Sequence, residues 1–123
     1  MNDKSEAMSW LKKAEDDLLH ARLSMDGKSY DWATLASQQV AEKSLKALFL
    51  FKGNELIKTH DLTFFGRKLN ASREILVHCG LLNPFYTTSR YPDELIKIDK
   101  IVAKDVIIAA GEILEWCQKQ IKI

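Results

Sequence analysis

The sequence predicts an all-α fold: an antiparallel up-and-down helical bundle of about five helices, three long and two short. Three observations lead there. Apolar residues recur at steps of three and four along most of the chain. No stretch alternates apolar and polar residues as a half-buried strand would. Only five glycines and two prolines punctuate the 123 residues, too few turn signals for a β fold.

Each element has its own signals. A first helix is expected over 6–25, with Ala7, Trp10, Leu11, Ala14, Leu18, Ala21 and Met25 on one stripe. Ser5 is its expected cap and Gly27 its stop. A longer second helix is expected over 31–52, closed by Gly53. Asp61 caps a third helix reaching about Leu69, with Leu62, Phe65 and Leu69 on one face. Ser72 caps a short fourth helix that ends at Gly80. Residues 81–96 hold both prolines and read as irregular. A last helix is expected over 97–121, with Ile101, Val102, Ile108, Ala109, Ile113, Trp116 and Cys117 apolar. Short connections between long helices favour antiparallel neighbours.

Composition bounds the function classes. Apolar residues make up 46% and charged residues 28%, an ordinary balance for an ordered globular chain. The length fits one domain over 1–123. The two cysteines, Cys79 and Cys117, form neither a disulfide framework nor a zinc spacing. No metal or other cofactor is expected, and a reduced, cytoplasmic setting follows. The longest apolar run, ALFLF at 47–51, is too short to cross a membrane. The net charge is +1. Residues 32–73 carry seven basic side chains against three acidic ones, a middle that can meet phosphate without requiring nucleic acid.

The second helix is apolar on nearly every side, the pattern of a central, buried helix. Yet Gln38, Glu42 and Lys46 follow at steps of four, with Gln39 and Lys43 alongside. Polar side chains on a buried helix need partners. One reading is a solvated strip in which Glu42 and Lys46 form an ordinary i,i+4 pair. The other is a polar groove in which Lys43 and Lys46 supply phosphate-binding charge and the glutamines supply adaptable hydrogen bonds.

The segments WLKKAEDDLLHA, ASQQVAEKSLKALFLFKG, KTHDL and YTTSRYPDE come in the order, and at roughly the intervals, seen in HEPN domains. The chain resembles that family, a proposed nucleotide-binding domain of higher eukaryotes and prokaryotes, from about Trp10 to Trp116. The resemblance implies a helical up-and-down bundle, commonly a homodimer, in a cytoplasmic prokaryotic protein. It also implies a small nucleotidyltransferase partner and nucleotide or RNA as ligand. One branch of the family consists of metal-independent RNase toxins of toxin–antitoxin pairs. Another is treated as noncatalytic and binding.

The RNase branch carries Arg-x4-6-His near the start of its last long helix. Arg90 stands at the expected place, but no histidine follows it. A literal match occurs elsewhere, REILVH from Arg73 to His78. Five positions on a helix separate two side chains by about 140°, so this pair does not converge within one protomer. The plainer reading is an exposed arginine and a histidine favoured by the helix end. His60 precedes the capping Asp61 and either satisfies a backbone carbonyl, braces the turn or sits near the phosphate groove. Tyr86 and Tyr91 flank Arg90, a grouping suited to stacking on a base and contacting phosphate, or to anchoring the loop with Arg90 paired to Glu42.

The candidate binding residues are therefore Gln39, Glu42, Lys43, Lys46, His60, Tyr86, Arg90 and Tyr91. The reading favours a dimeric nucleotide- or RNA-binding module over an enzyme. The alternatives are an RNase toxin using Arg73 and His78, or a purely structural dimerisation domain.

Overall fold

A computed structural model describes residues 3–86 and 98–121. Its helices are α1 (Asp3–Asp26), α2 (Tyr30–Phe51), α3 (Leu62–Lys68), α4 (Arg73–Leu82) and α5 (Lys100–Ile121). A 3-10 turn, Asn83–Tyr86, follows α4 directly. No strand occurs among the described residues.

The long helices run up and down. Trp10 and Asp17 of α1 face Lys46 and Lys43 of α2 in reversed order, so α1 and α2 are antiparallel. Ser72, at the start of α4, shares a cleft with Lys119 near the end of α5, while His78 meets Glu112. That reversal makes α4 and α5 antiparallel as well. As its all-round apolar character predicts, α2 is central and touches each of the other α-helices among the described residues.

Small residues let α1 and α2 approach closely. Ala7, Ala14 and Ala21 are fully buried at a spacing of seven on α1, with Leu11 and Leu18 between them. Opposite them α2 buries Ala33, Ser37, Val40, Ser44 and Ala47 at steps of four and three. This is the knobs-into-holes spacing of packed helix pairs. The buried hydroxyls need partners and find them on their own helix: Ser37 Oγ donates to Ala33 O at 2.7 Å, and Ser44 Oγ to Val40 O at 2.6 Å. Phe49 meets the edge of Phe65 at 5.3 Å and ties α2 to α3.

The caps follow the sequence in part. Asp61 accepts from Thr63 N at 3.1 Å and Ser72 from Ile75 N at 3.3 Å, as expected. Gly53 takes a positive φ of 87° and closes α2. The α1 stop differs by one residue. Lys28, not Gly27, holds the left-handed position, with φ 63°, while Ser29 N reaches back to Ser24 O at 2.8 Å.

Three other boundaries move. α1 begins at Asp3, before the expected cap Ser5. α4 runs through Gly80 to Leu82, because Leu82 is fully buried and its burial outweighs the helix penalty of glycine, about 1 kcal/mol. α5 begins at Lys100 because Asp99 caps it, accepting from Val102 N at 2.9 Å. On α5, Ile101 and Ile108 are exposed rather than in the core. No helix among the described residues is long and apolar enough to cross a membrane.

Candidate functional site

The polar residues of α2 form a buried knot around one carboxylate. Glu42 is 5% exposed. Its Oε2 accepts from Lys46 Nζ at 2.9 Å. Its Oε1 accepts from Gln38 Nε2 at 3.1 Å and lies 2.8 Å from His60 Nδ1. Gln38 is fully buried, and its Oε1 accepts from Gln39 Nε2 at 2.6 Å. The solvated-strip reading of α2 therefore fails at Gln38 and Glu42. Both are core residues, and each is satisfied inside the protein.

Burial pushes the Glu42 carboxyl up, but the hydrogen bonds from Lys46, His60 and Gln38 outweigh it and hold the group below the usual carboxylate value of 4.5. Glu42 is thus ionised near neutral pH and can only accept hydrogen bonds. The Nδ1 of His60 therefore carries a proton, which leaves Nε2 to act as acceptor when the ring is neutral and as donor when it is charged.

His60 links this knot to the surface. Its side chain is half exposed. Its ring stacks on Tyr86 with centroids 4.3 Å apart and planes 21° apart. Nε2 has no partner among the described residues. The two rings form part of an open cleft of about 540 Å³, completed by Thr59, Asp61 and Asn83.

The turn carrying His60 is clamped by Asn83, at the start of the 3-10 turn. Asn83 Nδ2 donates to Asp61 Oδ1 at 3.1 Å and to Thr63 Oγ1 at 3.0 Å. Asn83 Oδ1 accepts from Leu62 N at 2.8 Å. Thr59 Oγ1 accepts from Asp61 N at 3.1 Å. His60 thus sits between a helix cap and a side-chain clamp, which fixes its backbone without using its ring.

The two candidate lysines each have a carboxylate partner. Lys43 Nζ bonds Asp17 Oδ2 of α1 at 2.5 Å, with both side chains mostly buried. Lys46 is held by Glu42 and also lies 5.8 Å from the Trp10 ring centroid. The groove therefore offers paired charge rather than free cations. Glu42, Lys46, His60, Gln39 and Tyr86 are joined by this network, whereas Lys43 turns to α1. Arg90 and Tyr91, with the rest of YTTSRYPDE after Tyr86, lie outside the described residues.

The alternative pair, Arg73 and His78, is joined by no hydrogen bond among the described residues. Arg73 is exposed at the start of α4. His78 turns instead to Glu112 of α5. Two further titratable types, histidine on α1 and the two cysteines, lie outside the knot. His20 is exposed on α1. Both thiols are free and buried, and burial pushes Cys79 up to about 11 and Cys117 higher still. Gln38, Asn83, Asp17 and Trp10 took no part in the predicted site. Gln38 had stood four residues before Glu42 on the same arc and Trp10 on the apolar stripe of α1, whereas nothing singled out Asn83 or Asp17.

The fold and this knot define a helical bundle built around a charged, hydrogen-bonded central helix. The HEPN domain model matches residues 7–120, and the chain belongs to that family. Solved structures agree. A crystal structure of ST0689, an archaeal HEPN homologue, is 35% identical over 94% of this chain and 97% of its own, with a TM-score of 0.82. TT1696 from Thermus thermophilus is 27% identical over 98% and 99%, with a TM-score of 0.88. A HEPN domain protein from Thermotoga maritima is 25% identical over 90% and 95%, with a TM-score of 0.73. No curated protein matches the chain.

Proposed function

We propose that this chain is a noncatalytic HEPN-type module that binds the phosphate and base of a nucleotide or RNA at the His60–Tyr86 cleft. The observation that carries this reading is the state of His60. Its Nδ1 is committed to a buried carboxylate, its face is backed by Tyr86, its ring lines a polar cleft, and its Nε2 has no partner among the described residues. An imidazole held this way donates to a phosphate oxygen when charged. The edge of the His60–Tyr86 pair offers an aromatic surface beside which a base can stack. Lys46 and Glu42 set the position of His60 rather than meeting ligand themselves. Arg90 and Tyr91, next in the chain after this turn, complete the site in this reading.

The module works as a single domain and a homodimer, with a small nucleotidyltransferase as partner. Exposed apolar side chains on α1 and α5, Leu19, Leu23, Ile101 and Ile108, supply surface for self-association. Light scattering and co-purification with the partner test these two points. Binding itself is tested by fluorescence anisotropy with a labelled single-stranded RNA. Affinity falls about tenfold in His60→Ala and in Tyr86→Ala, and it weakens with added salt. Unchanged affinity in both variants would remove the cleft from the account.

A further inference from the structure

A second polar cluster lies between α4 and α5, away from the Glu42 knot. Glu74 and His78 stand four residues apart on α4, and Glu112 faces them from α5. One ligand atom from each, two carboxylate oxygens and an imidazole nitrogen, lie within 4.8 Å of one another. His78 Nε2 is 3.8 Å from Glu74 Oε1 and in close contact with Glu112 Oε2.

The contact with Glu112 is an ion-pair approach without hydrogen-bond geometry. His78 Nε2 is a buried side-chain nitrogen that makes no hydrogen bond among the described residues. A buried imidazole nitrogen with two carboxylates converging on it needs either a proton or a metal ion.

We propose that Glu74, His78 and Glu112 form a three-ligand site for a zinc-like divalent cation that staples α4 to α5. The donor set fits. Zinc accepts mixed imidazole and carboxylate ligands at about 2.0–2.2 Å, with a fourth position left for water. Magnesium and calcium prefer oxygen alone, so the imidazole selects against them. The geometry can adjust to an ion: Glu112 must draw back from its close contact with His78, and Glu74 must close in. The His78 side chain is 17% exposed and so fixed by packing, while those of Glu74 and Glu112 are 75% and 46% exposed and can swing to close the cage.

The cleft beside the site supplies access. It measures about 290 Å³ and is lined by Glu74, Glu112, Glu115, Trp116 and Lys119 among others. Lys119, its one cation among these, is held by Glu115 at 3.0 Å and leaves Glu74 and Glu112 free to ligate. The i,i+4 spacing places two ligands on one helical face, and the third comes from a different helix. Such a site forms only in the folded bundle, so metal binding stabilises the fold.

The test uses the full chain with no affinity tag. Equilibrium dialysis against zinc chloride is run on the native protein and on Glu112→Gln, His78→Gln and His60→Ala. Substitution with cobalt reports the ligand field by visible absorption. The proposal expects one zinc per chain, affinity lowered more than about tenfold in Glu112→Gln and His78→Gln, and no change in His60→Ala. It also expects a cobalt spectrum of low coordination number that vanishes in Glu112→Gln. Glu112 is half exposed, so that variant folds, and circular dichroism verifies it. Absence of zinc binding, or equal binding in Glu112→Gln, overturns the proposal.

Discussion

Glu42 and His60 stand eighteen residues apart in the chain and meet at 2.8 Å, Oε1 to Nδ1. One belongs to the central helix and the other to the turn before α3. This contact joins the buried interior of α2 to the open cleft at its end. It also explains how a charged residue sits in a bundle core: four donor–acceptor contacts around Glu42 and Gln38 leave neither side chain unsatisfied.

Removing the charge exposes how much this arrangement contributes. Glu42→Gln keeps the shape but leaves Lys46 without its carboxylate and changes the acceptor facing His60. Stability is expected to fall by about 1–3 kcal/mol, measured by urea denaturation near pH 7.

The same group sets an acid limb. Burial raises the Glu42 carboxyl, yet its hydrogen bonds hold it below 4.5. A carboxylate depressed in the folded state stabilises the fold above its unfolded value and loses that stabilisation as pH falls through its folded value. The native protein therefore loses stability below about pH 4.5, and the gap between it and Glu42→Gln narrows there. Thermal melts of both proteins from pH 7 down to about 3 measure this. A gap that stays constant across that range would contradict the assignment.

Lys28 holds a left-handed backbone position with φ 63°. A side chain there is strained, and glycine is not. Lys28→Gly is expected to stabilise the protein by about 0.5–1 kcal/mol, read from the urea midpoint.

Gly66 marks the close approach of α3 and α4. A Cβ added there would stand 2.8 Å from Leu76 Cδ2 and 3.4 Å from Cys79 Sγ. Leu76 must move for Gly66→Ala to fit, so the variant is expected to lose about 1–2 kcal/mol despite the better helix propensity of alanine. A melting temperature at or above the native value would show that Leu76 repacks freely.

Much of this was legible in the sequence, for physical reasons. Periodicity revealed α1 and α5, because each buries one face. Asp61 and Ser72 announced their helix starts because a cap is a local contact. The centrality of α2 followed from its apolar residues on all sides. Boundaries set by burial were not local: Leu82 carries α4 past Gly80, and nothing near Gly80 says so. The site was half visible. Glu42 and Lys46 pair within one helix, so spacing revealed them. Lys43 finds Asp17 across the bundle, and His60 finds Glu42 across a turn. Asn83 clamps Asp61 from twenty-two residues away. Such contacts depend on tertiary packing and leave no periodic trace.

The central claim is that Glu42 holds His60 in place for ligand. RNA affinity, measured by anisotropy at low salt for the native protein, Glu42→Gln, His60→Ala and the double variant, tests it most directly. Each single variant should weaken binding about tenfold, and the double variant should be no weaker than His60→Ala, because both act through one imidazole. Fully additive losses, or affinities equal to native in Glu42→Gln, would contradict it.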